Sequence, residues 1–586
     1  MNIKKFLQER FTECFLATYP QLAEADFIAE VTNSTNPKFG HYQCNSAMKL
    51  AKLLKKSPQQ IALALVEQAK VDLSDVLLAC DIAGPGFINI SLSPEFLASL
   101  CAKMNADKML GISAKKPKKI VIDFSSPNTA KEMHVGHLRS TIIGETIARV
   151  LTFLGHDVLR LNHVGDWGTA FGMLITYIKQ YAPEILTAGE QEQVEVSALV
   201  TCYKAAKKLF DEDSDFKKAS QLEVVALQGG NPKTLKIWET ICEISRNSYQ
   251  EIYDILDIDL IERGESFYNP FLEGVVSELE QNKFVEVSDG AKCLFLEGFA
   301  NREGDPLPFI LQKSDGGYNY STTDMAAIKH RIEDEKADWL IYVTDAGQAT
   351  HFAMLFKAAE KVGWLDRAKV RVDHVPFGLV LGPDGKKYKT RSGETEKLID
   401  LINTAVEKAE VLLLAKDSEK HKDLSKSQMH NIAQTLGVNA IKYADLSNNR
   451  CHDYQFSYDR MLQFEGNTAA FLMYSFVRIH GIKRQLEEKD IVISRADIKL
   501  EHVNEITLGL HLCQFEEALE SITQDLMPHR LCEYLYELAD KFNAFFRDCR
   551  VIGVPEQNQR VALCELAEQV LQQGLYLLGL STVDRM

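Results

Sequence analysis

What this chain lacks narrows its function before any motif is found. Nowhere in its 586 residues do eighteen apolar residues follow one another, so no helical membrane span is expected. The N-terminus, Met-Asn-Ile-Lys-Lys-Phe-Leu-Gln-Glu-Arg, has no apolar stretch of signal-peptide length, and a cytoplasmic location is expected. Twelve cysteines occur singly, at positions such as Cys14, Cys44, Cys202 and Cys451, with no Cys-x-x-Cys pair and no Cys/His cluster of zinc spacing. They read as buried thiols in a reducing compartment, and no structural metal is predicted. Internal repeats and low-complexity tracts are missing, as are a P-loop and a dinucleotide-binding glycine fingerprint.

Excess positive charge is missing too. Against 82 Asp and Glu stand 66 Lys and Arg, a net charge of −16, which as a total argues against a nucleic-acid partner. Distribution matters more than the total. Cations gather at Lys49, Lys52, Lys55 and Lys56, at Lys115, Lys116, Lys118 and Lys119, and at Lys386, Lys387, Lys389 and Arg391. Taken singly, each group reads as a solvated face or a linker.

What is present is ordinary globular composition, 46% hydrophobic and 25% charged, in a chain long enough for two to four domains. Residues 1–113 read as a small α/β domain: an amphipathic opening helix, a turn at 37–40, a helix carrying Met48, Leu50, Leu53 and Leu54, then turn and strand at 84–90. The lysine-rich stretch 114–119 leads out of it. Residues 114–450 hold strands alternating with helices, interrupted at about 179–304 by a mostly helical, acidic insertion with a break at Gly229-Gly-Asn-Pro. After it come an apolar strand at 338–343, a helix at 351–362, and strands at 370–374 and 377–381, a second βαβ half. Residues 451–586 read as an all-α bundle with Phe471, Tyr474, Phe476, Leu535, Leu538, Phe542, Phe545 and Phe546 at helical spacing. The fold class is therefore α/β, a Rossmann-like doubly wound parallel sheet with an inserted helical segment, flanked by the small N-terminal α/β domain and the C-terminal helix bundle.

The most informative segment is residues 123–137, Asp-Phe-Ser-Ser-Pro-Asn-Thr-Ala-Lys-Glu-Met-His-Val-Gly-His. A strand precedes it at 119–124. A helix follows, with Leu138, Ile142, Ile147, Leu151 and Leu154 at helical spacing until Gly155 as a C′ residue, and a second strand at 157–163 completes a βαβ unit. In that setting the helix N-terminus faces the carboxyl edge of the sheet and favours phosphate. Gly136 lets a ligand approach the backbone, while His134 and His137 can donate to phosphate oxygens, adding charge if protonated. A second phosphate-directed element lies at 382–393, Gly-Pro-Asp-Gly-Lys-Lys-Tyr-Lys-Thr-Arg-Ser-Gly, a tight turn followed by four cations that suit a leaving pyrophosphate. Standing alone it reads equally as a solvated basic hairpin.

Residues 126–144 resemble the signature of class I aminoacyl-tRNA synthetases, and the arginyl enzymes specifically. The resemblance runs on through 165–168 (Gly-Asp-Trp-Gly), 320–324 (Tyr-Ser-Thr-Thr-Asp), 348–352 (Gln-Ala-Thr-His-Phe) and the chain end from Tyr576. It implies a signature motif of Pro127, Asn128, Thr129, Ala130, Lys131, Glu132, Met133, His134, Val135, Gly136 and His137. It implies catalytic roles for Lys131, His134, His137, Lys389 and Arg391, and ATP contacts from His134, Val135, Gly136, His137, His351, Lys386, Lys387 and Lys389. Arginine would be held by Asp123, Ser125, Asn128, His134, Tyr320, Asp324 and Gln348, with Asp123, Tyr320 and Asp324 on the guanidinium. From the residues alone, Asp123 reads as well as a strand-end acid and Asp324 as a helix cap. The second cation loop departs from the class I Lys-Met-Ser-Lys-Ser pattern, since Lys389-Thr-Arg-Ser-Gly has no second lysine at the expected place, and its essential cation stays open.

The expected function is ATP-dependent ligation of L-arginine to tRNA(Arg) through an arginyl-adenylate, with ATP and Mg²⁺ as the substrate complex and a monomeric chain. Positioning and charge stabilisation would carry the reaction, so a Ser-His-Asp or reactive-Cys arrangement is not required. The resemblance also implies anticodon binding by the bundle, where aromatics and Arg478, Arg484, Arg547 and Arg550 could meet unstacked bases, and tRNA elbow contact by the N-terminal domain. Two other readings remain: a small-molecule nucleotidyltransferase with the same His-x-Gly-His loop, and a non-catalytic tRNA-binding paralogue.

Overall fold

Runs of β-branched and apolar residues set Lys119–Asp123 beside Trp339–Asp345 as parallel strands, with Ile120, Ile122, Leu340 and Ile341 fully buried. Parallel strands covered on both faces show that continuous apolar text. Across the sheet the order is Arg371–Phe377, Trp339–Asp345, Lys119–Asp123, Asp157–Asn162 and Ile261–Glu262, all parallel. The direction of winding reverses between Lys119–Asp123 and Trp339–Asp345. Such a reversal opens a crevice at the carboxyl ends of the two strands, where doubly wound sheets bind ligands. The computed structural model describes residues 1–113, 115–186, 195–301, 303–388, 396–415, 424–488 and 498–586.

The helix after the first strand, Val135–Phe153, is almost wholly buried and lies close to the sheet because residue 144 is glycine. A Cβ there would meet Phe124 Cγ at 2.2 Å. Gly155 follows the helix with φ +91°, the left-handed C′ residue expected from sequence. The longest helix of the insertion, Pro232–Ile255, starts where Asn231 Oδ1 accepts from the N–H groups of Lys233 and Thr234, with proline in the first turn. Its far end is fastened by buried cations: Lys442 Nζ donates to Leu256 O, and Arg149 Nη2 donates to Asp257 O at 2.6 Å. Cations at a helix C-terminus satisfy carbonyls that have no partner within the helix.

Three sequence expectations change. The insertion is not simply helical: Ile261–Glu262 joins the central sheet, and Glu286–Ser288, Ala291–Ala300 and Pro306–Gln312 form an antiparallel sheet running past residue 304. Its first turn, Asp289-Gly290, has φ +50° and +78°. Two positive φ values in a two-residue loop make the hairpin turn that Asp-Gly favours. The stretch 377–381 is not one strand: Phe377 ends Arg371–Phe377, and Val380–Leu381 pairs in parallel with Tyr454–Gln455 in a separate two-stranded sheet. Eleven cysteines are buried, but Cys451 is exposed.

The described residues cluster into two compact units, residues 115–462 and residues 1–114 with 463–586. In the second of these, a four-stranded antiparallel sheet with helices is joined to five C-terminal helices, helix Pro94–Ala106 packing against Val503–Cys513 and Gln557–Leu577. Among its bundle residues, Arg478 lies 5.0 Å from the Tyr474 ring centroid and 5.9 Å from that of Phe546, and Arg547 pairs with neighbouring Asp548.

Candidate active site

The loop leaving strand Lys119–Asp123 bends through three non-glycine residues in the left-handed region: Ser125 at φ +72°, Ser126 at +47° and Ala130 at +57°. Each such residue costs on the order of 1–3 kcal/mol unless its surroundings fix it. Here they do. Ser125 N–H donates to Ser140 Oγ at 2.9 Å, and Ser126 N–H to Asn162 Oδ1 at 3.0 Å. Ser126 Oγ donates to Asp123 Oδ1 at 3.0 Å, and Thr129 Oγ1 to Gly165 O at 2.6 Å. The Gly-Asp-Trp-Gly turn is thus a brace for the loop, with Trp167 packed edge-on against Trp238. Ser125 Oγ, expected to face the amino acid, is buried against Tyr253 OH at 2.8 Å and receives Thr141 Oγ1 at 2.9 Å. Asn128 is exposed, and its carbonyl accepts from Tyr249 OH at 2.8 Å.

At the loop's end the two histidines cap the helix reciprocally. His134 Nδ1 accepts from Gly136 N–H at 3.0 Å, and His137 Nδ1 accepts from His134 N–H at 3.1 Å, with ring centroids 4.0 Å apart. A side chain at 136 would place Cβ 2.8 Å from His134 Cε1, which explains the glycine of His-x-Gly-His. Since both Nδ1 atoms accept, each neutral ring carries its proton on Nε2 and offers one N–H donor. Burial pushes His137 down to about 3, with His134 and Lys131 adding to the effect. His134 is lowered as well, first by burial and then by the charges of Lys387 and Lys131. The sequence left the charge of these rings open: burial keeps His137 an uncharged donor at neutral pH and lowers His134 as well, while Lys131 and Lys387 stand beside them.

Lys131 is exposed, its Nζ 5.7 Å from the Tyr203 ring centroid. Lys387 sits on the return arm of a hairpin bridged to Leu381, where Gly385 N–H donates to Gly382 O at 3.0 Å, and Lys386 is exposed at the same turn. Lys389 and Arg391 lie outside the described residues. Both phosphate-directed segments are tied to Arg139, which is fully buried in helix Val135–Phe153. Its guanidinium donates to Gly378 O at 2.7 Å and Arg450 O at 3.3 Å and pairs with Asp445 at 3.0 Å. Gly378 stands just before Val380–Leu381, the strand leading into the basic turn. Lys397, paired to Glu132 at 2.7 Å, adds a backbone bridge to His134.

A second group is acidic. Asp324, on helix Tyr320–Glu333 whose cap is Asn319, pairs with His351 Nε2 at 2.6 Å and lies 3.9 Å from His163 Nε2. Tyr320 is 62% exposed, its ring 5.0 Å from that of His351. His351, assigned from sequence to the nucleotide, is therefore joined to the Tyr320–Asp324 group, with Phe309 stacked at 5.9 Å on the ring. Asp123 is occupied by an internal partner, Arg331 Nη2 at 2.7 Å. Gln348 is exposed and donates to Asp345 Oδ2 at 3.2 Å, at the carboxyl end of Trp339–Asp345.

Sequence reasoning missed Glu265, His163 and Arg331. Glu265 opens helix Glu265–Gln281, and its carboxyl is pushed up to about 8, first by burial and then by the charges of Asp166 and Asp324. Acids that destabilise one another in a cleft make a site that favours a cation. Only the Gly264-Glu265 helix start and the strand-end position of His163 hinted at these residues, and neither is distinctive.

Comparisons with known proteins identify the family. Residues 100–458 match the model for tRNA synthetases class I (R), catalytic domain, residues 472–586 the DALR anticodon binding domain, and residues 1–92 the arginyl tRNA synthetase N terminal domain. An arginine–tRNA ligase of Protochlamydia amoebophila is 59% identical over 584 residues, covering 99% of both chains. One of Trichodesmium erythraeum is 50% identical over 585 residues, again covering 99% of each. Among solved structures, the arginyl-tRNA synthetase of Plasmodium falciparum is similar with a TM-score of 0.84 at 33% identity, covering 100% of this chain and 99% of its own. That of Thermus thermophilus shares the fold at a TM-score of 0.79 and 22% identity, covering 99% of this chain and 100% of its own. The chain belongs to the arginine–tRNA ligase family of class I aminoacyl-tRNA synthetases.

Proposed function

We propose that the ligation of arginine to tRNA is divided between the two groups at the switch point: neutral histidines and lysines for ATP, carboxylates for arginine. The Asp324 carboxylate, paired to His351 beside the Tyr320 ring, is the observation that carries the arginine side, and its charge helps hold Glu265 in the protonated form before ligand binds. A guanidinium has five N–H donors, keeps its charge and would let both carboxyls ionise. Tyr320 covers the same group. Asn128 and Gln348, exposed at the carboxyl ends of the two central strands, would take the α-amino and carboxylate groups.

ATP would lie across Gly136, with His134 and His137 Nε2–H directed at the α-phosphate and Lys131, Lys386, Lys387, Lys389 and Arg391 serving the departing pyrophosphate. The arginine carboxylate attacks the α-phosphorus in line, the bond to the β-phosphate oxygen breaks, and the tRNA terminal ribose hydroxyl then takes the arginyl group from AMP. No protein nucleophile is needed, because alignment and preorganised donors lower the barrier. Mg²⁺ would enter with ATP as part of the substrate complex and offset the charge of its phosphates. Among the described residues no group of three or more His, Cys, Asp or Glu is arranged to hold an ion. A monomeric, cytoplasmic chain completes the reading. No helix among the described residues is long and apolar enough to cross a membrane.

Arginine-dependent ATP–pyrophosphate exchange, with and without tRNA, tests it. Exchange with a different amino acid would sink the arginine pocket, and exchange without any tRNA charging would sink the second step.

A further inference from the structure

The signature loop touches one element repeatedly: the insertion helix Pro232–Ile255. Ser245, Tyr249 and Tyr253 recur at every fourth position and so share one face of that helix. All three are buried, and each bonds a different point of the strained loop. Ala130 N–H donates to Ser245 Oγ at 3.0 Å, Tyr249 OH donates to Asn128 O at 2.8 Å, and Tyr253 OH meets Ser125 Oγ at 2.8 Å. Two turns closer to the helix start, Trp238 Nε1–H donates to Asp166 O at 2.7 Å in the bracing turn. Ser245 in turn donates to Ile241 O at 2.8 Å, and Asn162 Nδ2 donates to Tyr253 OH at 3.1 Å, so these hydroxyls are oriented. The helix is also held at its end by Lys442 and Arg149.

We infer that Ser245, Tyr249 and Tyr253 are positioning residues for the reaction, acting through the loop on two different substrates. This rests on the division of the site proposed above. Tyr249 fixes the carbonyl of Asn128, whose side chain serves arginine, whereas Ser245 fixes the N–H of Ala130, the residue before Lys131 on the phosphate side. Tyr253 sets Ser125, at the root of both. A buried aromatic at helical spacing ordinarily contributes packing alone. Here packing and hydroxyl separate, because Tyr→Phe keeps the ring and removes the bond.

The two ends of the helix face therefore have distinct kinetic signatures. Tyr249→Phe is expected to raise KM for arginine about tenfold with KM for ATP and kcat near wild type, the loss of roughly one hydrogen bond's positioning. Ser245→Ala is expected to lower kcat of exchange, or raise KM for ATP, about tenfold with KM for arginine unchanged. Gln250→Ala, on the exposed face where Gln250 Nε2 donates to Asp254 Oδ1, is the control expected to match wild type. The experiment is ATP–pyrophosphate exchange on the full chain with each substrate varied in turn, alongside thermal unfolding of each variant. Wild-type constants in both Tyr249→Phe and Ser245→Ala would overturn the inference. So would the same loss of active enzyme in both with every KM unchanged, the mark of a purely structural role. If wild-type enzyme shows no arginine-dependent exchange, the site reading fails instead.

Discussion

Asp123 Oδ2 lies 2.7 Å from Nη2 of Arg331, so one of the acids expected to greet substrate arginine already holds an arginine of the chain. Arg331 is buried beneath Tyr342, its guanidinium carbon 5.1 Å from that ring, and Ser126 Oγ bonds the other oxygen of Asp123. The pair fixes the end of the central strand where the signature loop departs.

Arg331→Met should leave Asp123 buried without its counter-charge and cost about 3–5 kcal/mol of unfolding free energy. Denaturant unfolding measures this. A loss under about 1 kcal/mol would show that the strand end does not depend on the pair.

Arginine binding should become tighter as pH rises from 6 to 8. Glu265 is held up at about 8 in the free protein, so below that pH it is protonated, and an arriving guanidinium would favour its ionised form. Binding then releases a proton, measurable by calorimetry in buffers of different ionisation enthalpy. In the absence of arginine the sign reverses: a raised carboxyl stabilises the fold at pH below its ordinary value of 4.5, and that contribution is lost by about 8. Glu265→Gln should therefore gain stability relative to wild type near pH 8 while losing about tenfold or more in arginine affinity.

Exchange activity should show no inflection between pH 6 and 7 from the signature histidines. His137 is depressed to about 3 and so gains no charge in that window, and burial with the charges of Lys387 and Lys131 shifts His134 in the same direction. The stability consequence is separate: a histidine with a depressed folded pKa loses about 1.4 kcal/mol per pH unit as pH falls below 6.5, because only the unfolded chain takes up the proton. Replacing His137 by Asn, which keeps an N–H donor but changes its reach, should lower kcat about 100-fold with smaller changes in KM. A basic limb near pH 6.5 that vanishes in His137→Asn would contradict the neutral-donor role.

Lys387→Ala should lower kcat/KM for ATP about 10- to 100-fold and Lys386→Ala less, because Lys387 is the one whose charge acts on His134. Comparing both variants in pyrophosphate exchange decides the order. Equal losses would assign the work to the turn as a whole.

Local features were readable from sequence. The strand, loop and helix around His134 and the Gly155 stop follow from periodicity and glycine position within some forty residues. Side-chain partners were not, because they come from remote text with no pattern of its own. Arg331 is one basic residue on an amphipathic helix, and Tyr249 and Tyr253 look like core. Val380–Leu381 pairs with Tyr454–Gln455, a match no period could announce. The Asp289-Gly290 hairpin is different: its signal was present and was outweighed by the helical stretches around it.

Arg139 has a consequence for motion. One guanidinium collects carbonyls from Gly378 and Arg450 and the carboxylate of Asp445, while its own helix begins at the histidine pair. Gly378 N–H in turn donates to Arg450 O at 2.9 Å. The root of the basic turn and the start of the signature helix therefore open together or not at all, as one cooperative unit in hydrogen exchange. If the histidine pair holds the α-phosphate as proposed, any loosening at the root of the basic turn would loosen the nucleotide's cradle with it.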